Sequence, residues 1–144
     1  MFWRKRKEGP VDIVHRYIAA LNARDADVMK AMLHPDCRFV DSHGFCVDGH
    51  EDSKAAVDAF LGLAEGFRLH VTSSTMRGDD ILLRGHTEAN DPRLATDTLW
   101  LARVADGKMQ YWQSFGGADA PPLAHLLLPD RAKAAPQELR PPTA

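Results

Sequence analysis

Pro10-Val11-Asp12-Ile13-Val14-His15-Arg16-Tyr17-Ile18-Ala19-Ala20-Leu21-Asn22-Ala23-Arg24-Asp25 is the stretch from which the fold is read. Val14, Tyr17, Ile18 and Leu21 recur at i, i+3, i+4 and i+7, which predicts a helix with one apolar face. Pro10 stands where such a helix begins. Asn22-Ala23-Arg24-Asp25 interrupts the pattern. Val28, Met29, Met32 and Leu33 predict a second, short helix. His34-Pro35 ends it, because a residue before proline avoids helical geometry.

Beyond Pro35 the period changes. Cys37-Arg38-Phe39-Val40-Asp41 reads as a strand, Ser42-His43-Gly44 as a turn and Phe45-Cys46-Val47 as a short return strand. After the Asp48-Gly49 turn, Asp52 or Ser53 caps a third helix with apolar positions Val57, Phe60, Leu61 and Ala64. Four strands follow over 67–76, 80–89, 94–104 and 108–115. Gly78-Asp79 and Asp106-Gly107 mark hairpin turns, the second more strongly. Helices first and hairpin-linked strands afterwards predict an α+β domain. Its antiparallel, twisted sheet wraps three N-terminal helices and leaves a conical interior.

The 144 residues fit one domain, with 44% hydrophobic and 26% charged residues. A net charge of −2 argues against a broad nucleic-acid surface. Residues 1–9 read as a loose arm whose run Arg4-Lys5-Arg6-Lys7 is a solvated charge cluster. No segment approaches the roughly 18 apolar residues of a membrane span. The N-terminus lacks the apolar region of a secretory signal, so the expected location is cytoplasmic. Cys37 and Cys46 read as reduced core thiols, and their spacing fits no zinc pattern. The seven histidines form no metal motif, so no metal is expected. The ordered domain is expected over residues 10–116. The 28 residues from Gly117 hold six of nine prolines and seven alanines, which marks a tail. Within it Leu123–Leu128 reads as a short helix or docking strand, and 136–144 as disordered.

The run from Tyr17 to Asp41 resembles the N-terminal third of the bacterial ketosteroid isomerases. Ala20-Leu21-Asn22-Ala23-Arg24-Asp25, the run Pro35 to Gly49, and Asp106-Gly107-Lys108 with Trp112 and Phe115 resemble the wider nuclear transport factor 2-like superfamily. That superfamily includes the SnoaL-like polyketide cyclases. The resemblance implies a cone-shaped, cystatin-like barrel and a homodimer through the outer sheet face. It also implies cofactor-independent proton transfer on a small apolar carbonyl compound, with Asp41 as base and Tyr17 as oxyanion donor. Asp41→Asn is then expected to abolish activity and leave the fold intact. The fold hosts unrelated functions, and the alternative is a non-catalytic module that binds a small ligand or a protein.

The residues leave each role open. Asp41, flanked by Phe39, Val40 and Phe45, is either a partly desolvated base or an acceptor for the backbone of the following turn. Tyr17 is either a donor to developing charge or a core tyrosine. Asp97 is a third acid in the family comparison. Counting back from Asp106-Gly107 puts the family's position nearer Leu99, which shares a face with Asp97. Asp97 then enters the cavity one pair further along, or forms a salt bridge near the strand's start. Phe39 and Phe60 are expected on the pocket wall. Alternation against the family pattern adds Leu83, Gly85 and Thr87, then Leu99, and then Tyr111, Gln113 and Phe115. A one-residue slip inverts any of these assignments.

Overall fold

A computed structural model describes residues 7–117 and 119–136 of the chain. Helix α1 spans Pro10–Asn22. Pro10 supplies the first helical position, and the Asp12 carboxylate accepts from the Gly9 N–H at 3.0 Å. Ile13, Val14, Ile18 and Leu21 form its buried stripe. The Asn22 amide then clamps β3 (Arg68–Arg77), donating to Leu69 O at 2.9 Å and accepting from Leu69 N at 2.8 Å. Arg24 turns the chain at φ 56° and donates to Ala64 O at 3.0 Å and to Leu61 O, which ties the end of α1 to that of α3 (His50–Leu63).

Helix α2 covers only Ala26–Ala31, and strand β1 (Leu33–Val40) begins before Pro35 rather than after it. Pro35 is accommodated because β1 pairs irregularly between Leu33 and Arg38, so its missing N–H costs the ladder nothing. Strand β2 (Phe45–Asp48) returns antiparallel to β1. Helix α3 (His50–Leu63) is capped by Gly49 at φ 91°, not by Asp52 or Ser53. Ser53 therefore lies one turn inside the helix, on its buried face with Ala56 and Val57.

Strands β4 (Asp80–Glu88), β5 (Asp97–Ala105) and β6 (Lys108–Phe115) continue the sheet. A 3-10 turn at Pro92–Leu94 replaces the expected start of β5. The chain then forms a short helix, α4 (Leu123–Leu127), and a two-residue strand, β7 (Lys133–Ala134). The strand order is β3-β4-β5-β6-β1-β2-β7. The β1–β6 pair is parallel and the others antiparallel. The sheet curves around α1, α2 and α3 but stays open between β3 and β7, so it is a cone and not a closed barrel. Gly85 permits a close approach of β4 to β3. A Cβ there would stand 1.9 Å from His70 O, where the β3–β4 register shifts between Val71 and Ser73. Among the described residues no helix is long and apolar enough to cross a membrane. The segment 137–144, and with it most of the expected disordered end, lies outside the described residues.

Candidate functional site

The concave face of the sheet and the helices enclose a cavity of about 180 Å³. Its walls are mainly apolar, including Leu21, Val57, Phe60, Trp100 and Trp112. Trp100 and Trp112 face each other at 6.0 Å between centroids, and Tyr17 approaches Trp112 at 6.5 Å. Arg93, Thr96, Gly116, Ala120 and Pro121 border the cavity and all retain solvent exposure, which marks them as its rim.

Tyr17, Asp41, Phe39, Phe60 and Thr87 all border this cavity. Tyr17 projects from α1, and burial pushes its phenol far above the ordinary tyrosine value. The phenol thus stays a neutral donor. Among the described residues its hydroxyl makes no hydrogen bond.

Asp41 is 1% exposed. One carboxylate oxygen accepts from the N–H groups of His43 at 2.9 Å and Phe45 at 3.0 Å. The other accepts from Ala124 N at 3.0 Å, which joins the turn after β1 to α4. His43 contacts Ala120 O through its ring, and Gly116 N donates to Ser42 Oγ at 2.8 Å. Gly116 and residues 120–127 thereby fold over the turn, and Leu123 and Leu127 complete the cavity wall. Further along, Ala135 N donates to Gly44 O at 2.8 Å and β7 pairs with β2, so residues 133–135 pack against β2 and the turn before it.

The other expected wall residues divide by strand. On β4, Leu83 and Thr87 face inward as expected, but Leu83 is packed into the core at 1% exposure instead of bordering the cavity. On β5 the parity is reversed. Thr98, Trp100 and Ala102 point inward, while Asp97 is exposed and Leu99 is 46% exposed on the convex face. Asp97 opposes His86 there, so it cannot serve as a second acid inside the cavity. On β6 the cause is visible. Arg103–Val104 oppose Tyr111 and Met109, so Gln110 is an extra residue in that strand. Met109 faces the core, and after this bulge Trp112 and Ser114 point inward. Tyr111 borders the cavity at the strand, but its ring lies on the convex face with the Arg103 guanidinium 5.0 Å from its centroid. Its hydroxyl donates to Gln113 Oε1 at 2.5 Å, on that same face, where Phe115 also opposes Leu99.

Cys37 and Ser53 are among the cavity residues not recognised from sequence as part of the site. Cys37 borders it, and burial pushes its thiol up, partly offset by the neighbouring Ser53 hydroxyl. Ser53 itself enters from α3. The only available signal was its i, i+4, i+7 spacing with Val57 and Phe60.

Among curated proteins, none matches the chain. Solved structures of the same shape are numerous. One is an NTF2-like protein of unknown function from Cytophaga hutchinsonii, with 18% identity, TM-score 0.66, and coverage of 79% of this chain and 95% of the other. A putative polyketide cyclase from Sinorhizobium meliloti has 21% identity and TM-score 0.64, covering 72% of this chain and 93% of the other. A ketosteroid isomerase-like fold from Catenulispora acidiphila, in complex with trimethylamine, has 16% identity and TM-score 0.65. It covers 90% of this chain and 98% of the other. These likenesses establish the fold. The model of the SnoaL-like domain matches residues 14–112, from the first helix to the tryptophan that closes the cavity, and the chain belongs to that family.

Proposed function

We propose that the cone binds a small, flat, apolar ring compound carrying a neutral oxygen, with the Tyr17 hydroxyl as its hydrogen-bond donor. The observation that carries this reading is the half-buried Tyr17 phenol on the wall of an apolar cavity, with no hydrogen bond to another of the described residues. A dry cavity of about 150 Å³ accommodates benzene. The 180 Å³ here therefore suits one or two fused rings and is small for a four-ring steroid. Trp100 and Trp112 in the wall provide a spectroscopic handle. Saturable quenching of tryptophan fluorescence by 1-tetralone is expected, weakened about three- to tenfold in Tyr17→Phe. No saturable signal from 1-tetralone or 1-naphthol overturns the proposal.

A second reading is proton transfer, with Asp41 as base. It is favoured because Asp41 borders the same cavity as Tyr17, and a carboxylate offers about four acceptor positions, of which three are occupied. In that case the protein exchanges the C2 protons of 1-tetralone for deuterium in D2O, and Asp41→Asn stops the exchange. The three backbone contacts support the binding reading over this one.

The protein is proposed to act as a homodimer in the cytoplasm. Leu82 at 41% and Leu99 at 46% exposure lie together on the convex face, and both cysteines are free. Replacing both leucines by lysine is expected to halve the mass measured by light scattering. An unchanged mass refutes this interface.

A further inference from the structure

We propose that Ser53 Oγ is a second donor to the bound ligand, and that with Tyr17 it selects a ring ketone or quinone oxygen. This deepens the proposed binding role of the cavity and rests on it. Among the described residues, Ser53 Oγ is the one buried side-chain nitrogen or oxygen without a hydrogen-bond partner. Ser53 is 7% exposed and borders the cavity.

A helical serine usually satisfies its hydroxyl on the carbonyl four residues earlier. That refuge is taken here. Gly49 O accepts from Ser53 N at 3.0 Å and from Cys37 Sγ at 3.7 Å, which uses both of its lone pairs. Four other hydroxyls of the wall have partners. Thr87 Oγ1 donates to Leu94 O at 2.5 Å, Thr96 and Thr98 share a bond at 2.5 Å, and Ser42 Oγ accepts from Gly116 N. Ser53 Oγ is left on the wall of an apolar space with only the Cys37 sulfur, a weak acceptor, beside it.

The chemistry of the ligand follows from what surrounds Ser53. Cys37 borders the same cavity as both donors, and its thiol, raised by burial, stays neutral beside the Ser53 hydroxyl. A carbonyl oxygen has two lone pairs and can accept from Tyr17 and Ser53 together. A carboxylate or phosphate would enter without a counter-charge. The two arginines that border the cavity are engaged elsewhere, Arg38 with Asp48 and Arg93 with Asp91 at 2.8 Å.

The test compares 1-tetralone with tetralin, the same ring skeleton without the oxygen, on wild type, Ser53→Ala and Tyr17→Phe by calorimetry. Ser53→Ala is expected to weaken 1-tetralone about three- to tenfold and leave tetralin unchanged. The ligand-free Ser53→Ala protein is expected to melt at the wild-type temperature or higher, because it loses an unsatisfied buried hydroxyl. Equal affinity for 1-tetralone, equal losses on both probes, or a lower melting temperature overturns the assignment of Ser53. Loss with Tyr17→Phe alone leaves the binding role standing without Ser53. Failure of wild type to bind either probe overturns the binding role itself.

Discussion

Asp41→Asn separates a carboxylate that holds the chain together from one that moves protons. The side chain is 1% exposed and accepts three backbone N–H bonds, from His43, Phe45 and Ala124. Asparagine has a single acceptor oxygen. Turned to keep His43 and Phe45, it sets its NH2 against the Ala124 N–H, two donors face to face. A buried hydrogen bond to a charged group contributes about 1.5–3 kcal/mol, and an unsatisfied buried donor costs about 1–3 kcal/mol. These overlap, so a net loss of about 2–4 kcal/mol is expected. For a chain of this size that lowers the melting temperature by about 6–12 °C, at about 3 °C per kcal/mol. The lost contact belongs to α4, so limited proteolysis of the variant should cut between residues 116 and 128 well before the cone is attacked. Differential scanning fluorimetry and mass spectrometry of the fragments read both effects. A melting temperature within about 1 °C of wild type, with equal protection of that segment, refutes the structural role. It would return Asp41 to the role of base, where asparagine leaves the fold intact.

Three further outcomes follow from the geometry. Burial raises the Asp48 carboxyl, but hydrogen bonds and charge from Arg38 and Lys133 outweigh it, so its value is lowered overall. The stability this gives is complete above the ordinary carboxylate value of about 3.9 and is lost as pH falls through the lower folded value. Urea midpoints of wild type and Asp48→Asn should therefore differ at pH 6 and converge in acid; a constant difference contradicts this. Burial raises both of the chain's tyrosines, Tyr111 to about 12 and Tyr17 beyond that. Folded protein should thus show no tyrosinate absorbance at pH 10.5. The linked stability is intact below the unfolded value of about 10 and lost as pH rises through the folded values. Early tyrosinate absorbance from native protein refutes the burial of these rings. Gly85→Ala forces a Cβ to within 1.9 Å of His70 O and 3.1 Å of Val71 Cα, both backbone atoms. A loss of about 3 kcal/mol is expected from chemical denaturation, and an unchanged midpoint refutes the close approach of the strands.

Local chemistry was legible in the sequence, and distant partners were not. The apolar face of α1 and the Asp106-Gly107 turn were readable because each depends on neighbours in the chain. The inward face of β4 was readable from alternation. Alternation failed on β6 because Gln110 is an extra residue that no composition signal marks. It failed on β5 because Leu99 and Leu101, on the convex face, are as apolar as an interior row. Asp41 was singled out, but its partner Ala124 lies 83 positions away, so the carboxylate's contact with the C-terminal segment was invisible. Ser53 was taken for a helix cap. Gly49 performs that role from a backbone angle that a β-carbon disfavours, and the serine was displaced into the cavity.

The origin of the cavity wall along the chain carries a consequence for redesign. Tyr17 and Ser53, the proposed donors to a ligand, both fall before residue 54. The rim, from Arg93 and Thr96 to Gly116, Ala120 and Pro121, is written in the second half of the chain. Recombining the N-terminal half of one such protein with the C-terminal half of another would exchange the gripping groups and the doorway as separate modules. Chemical preference and access rate would then vary on independent axes.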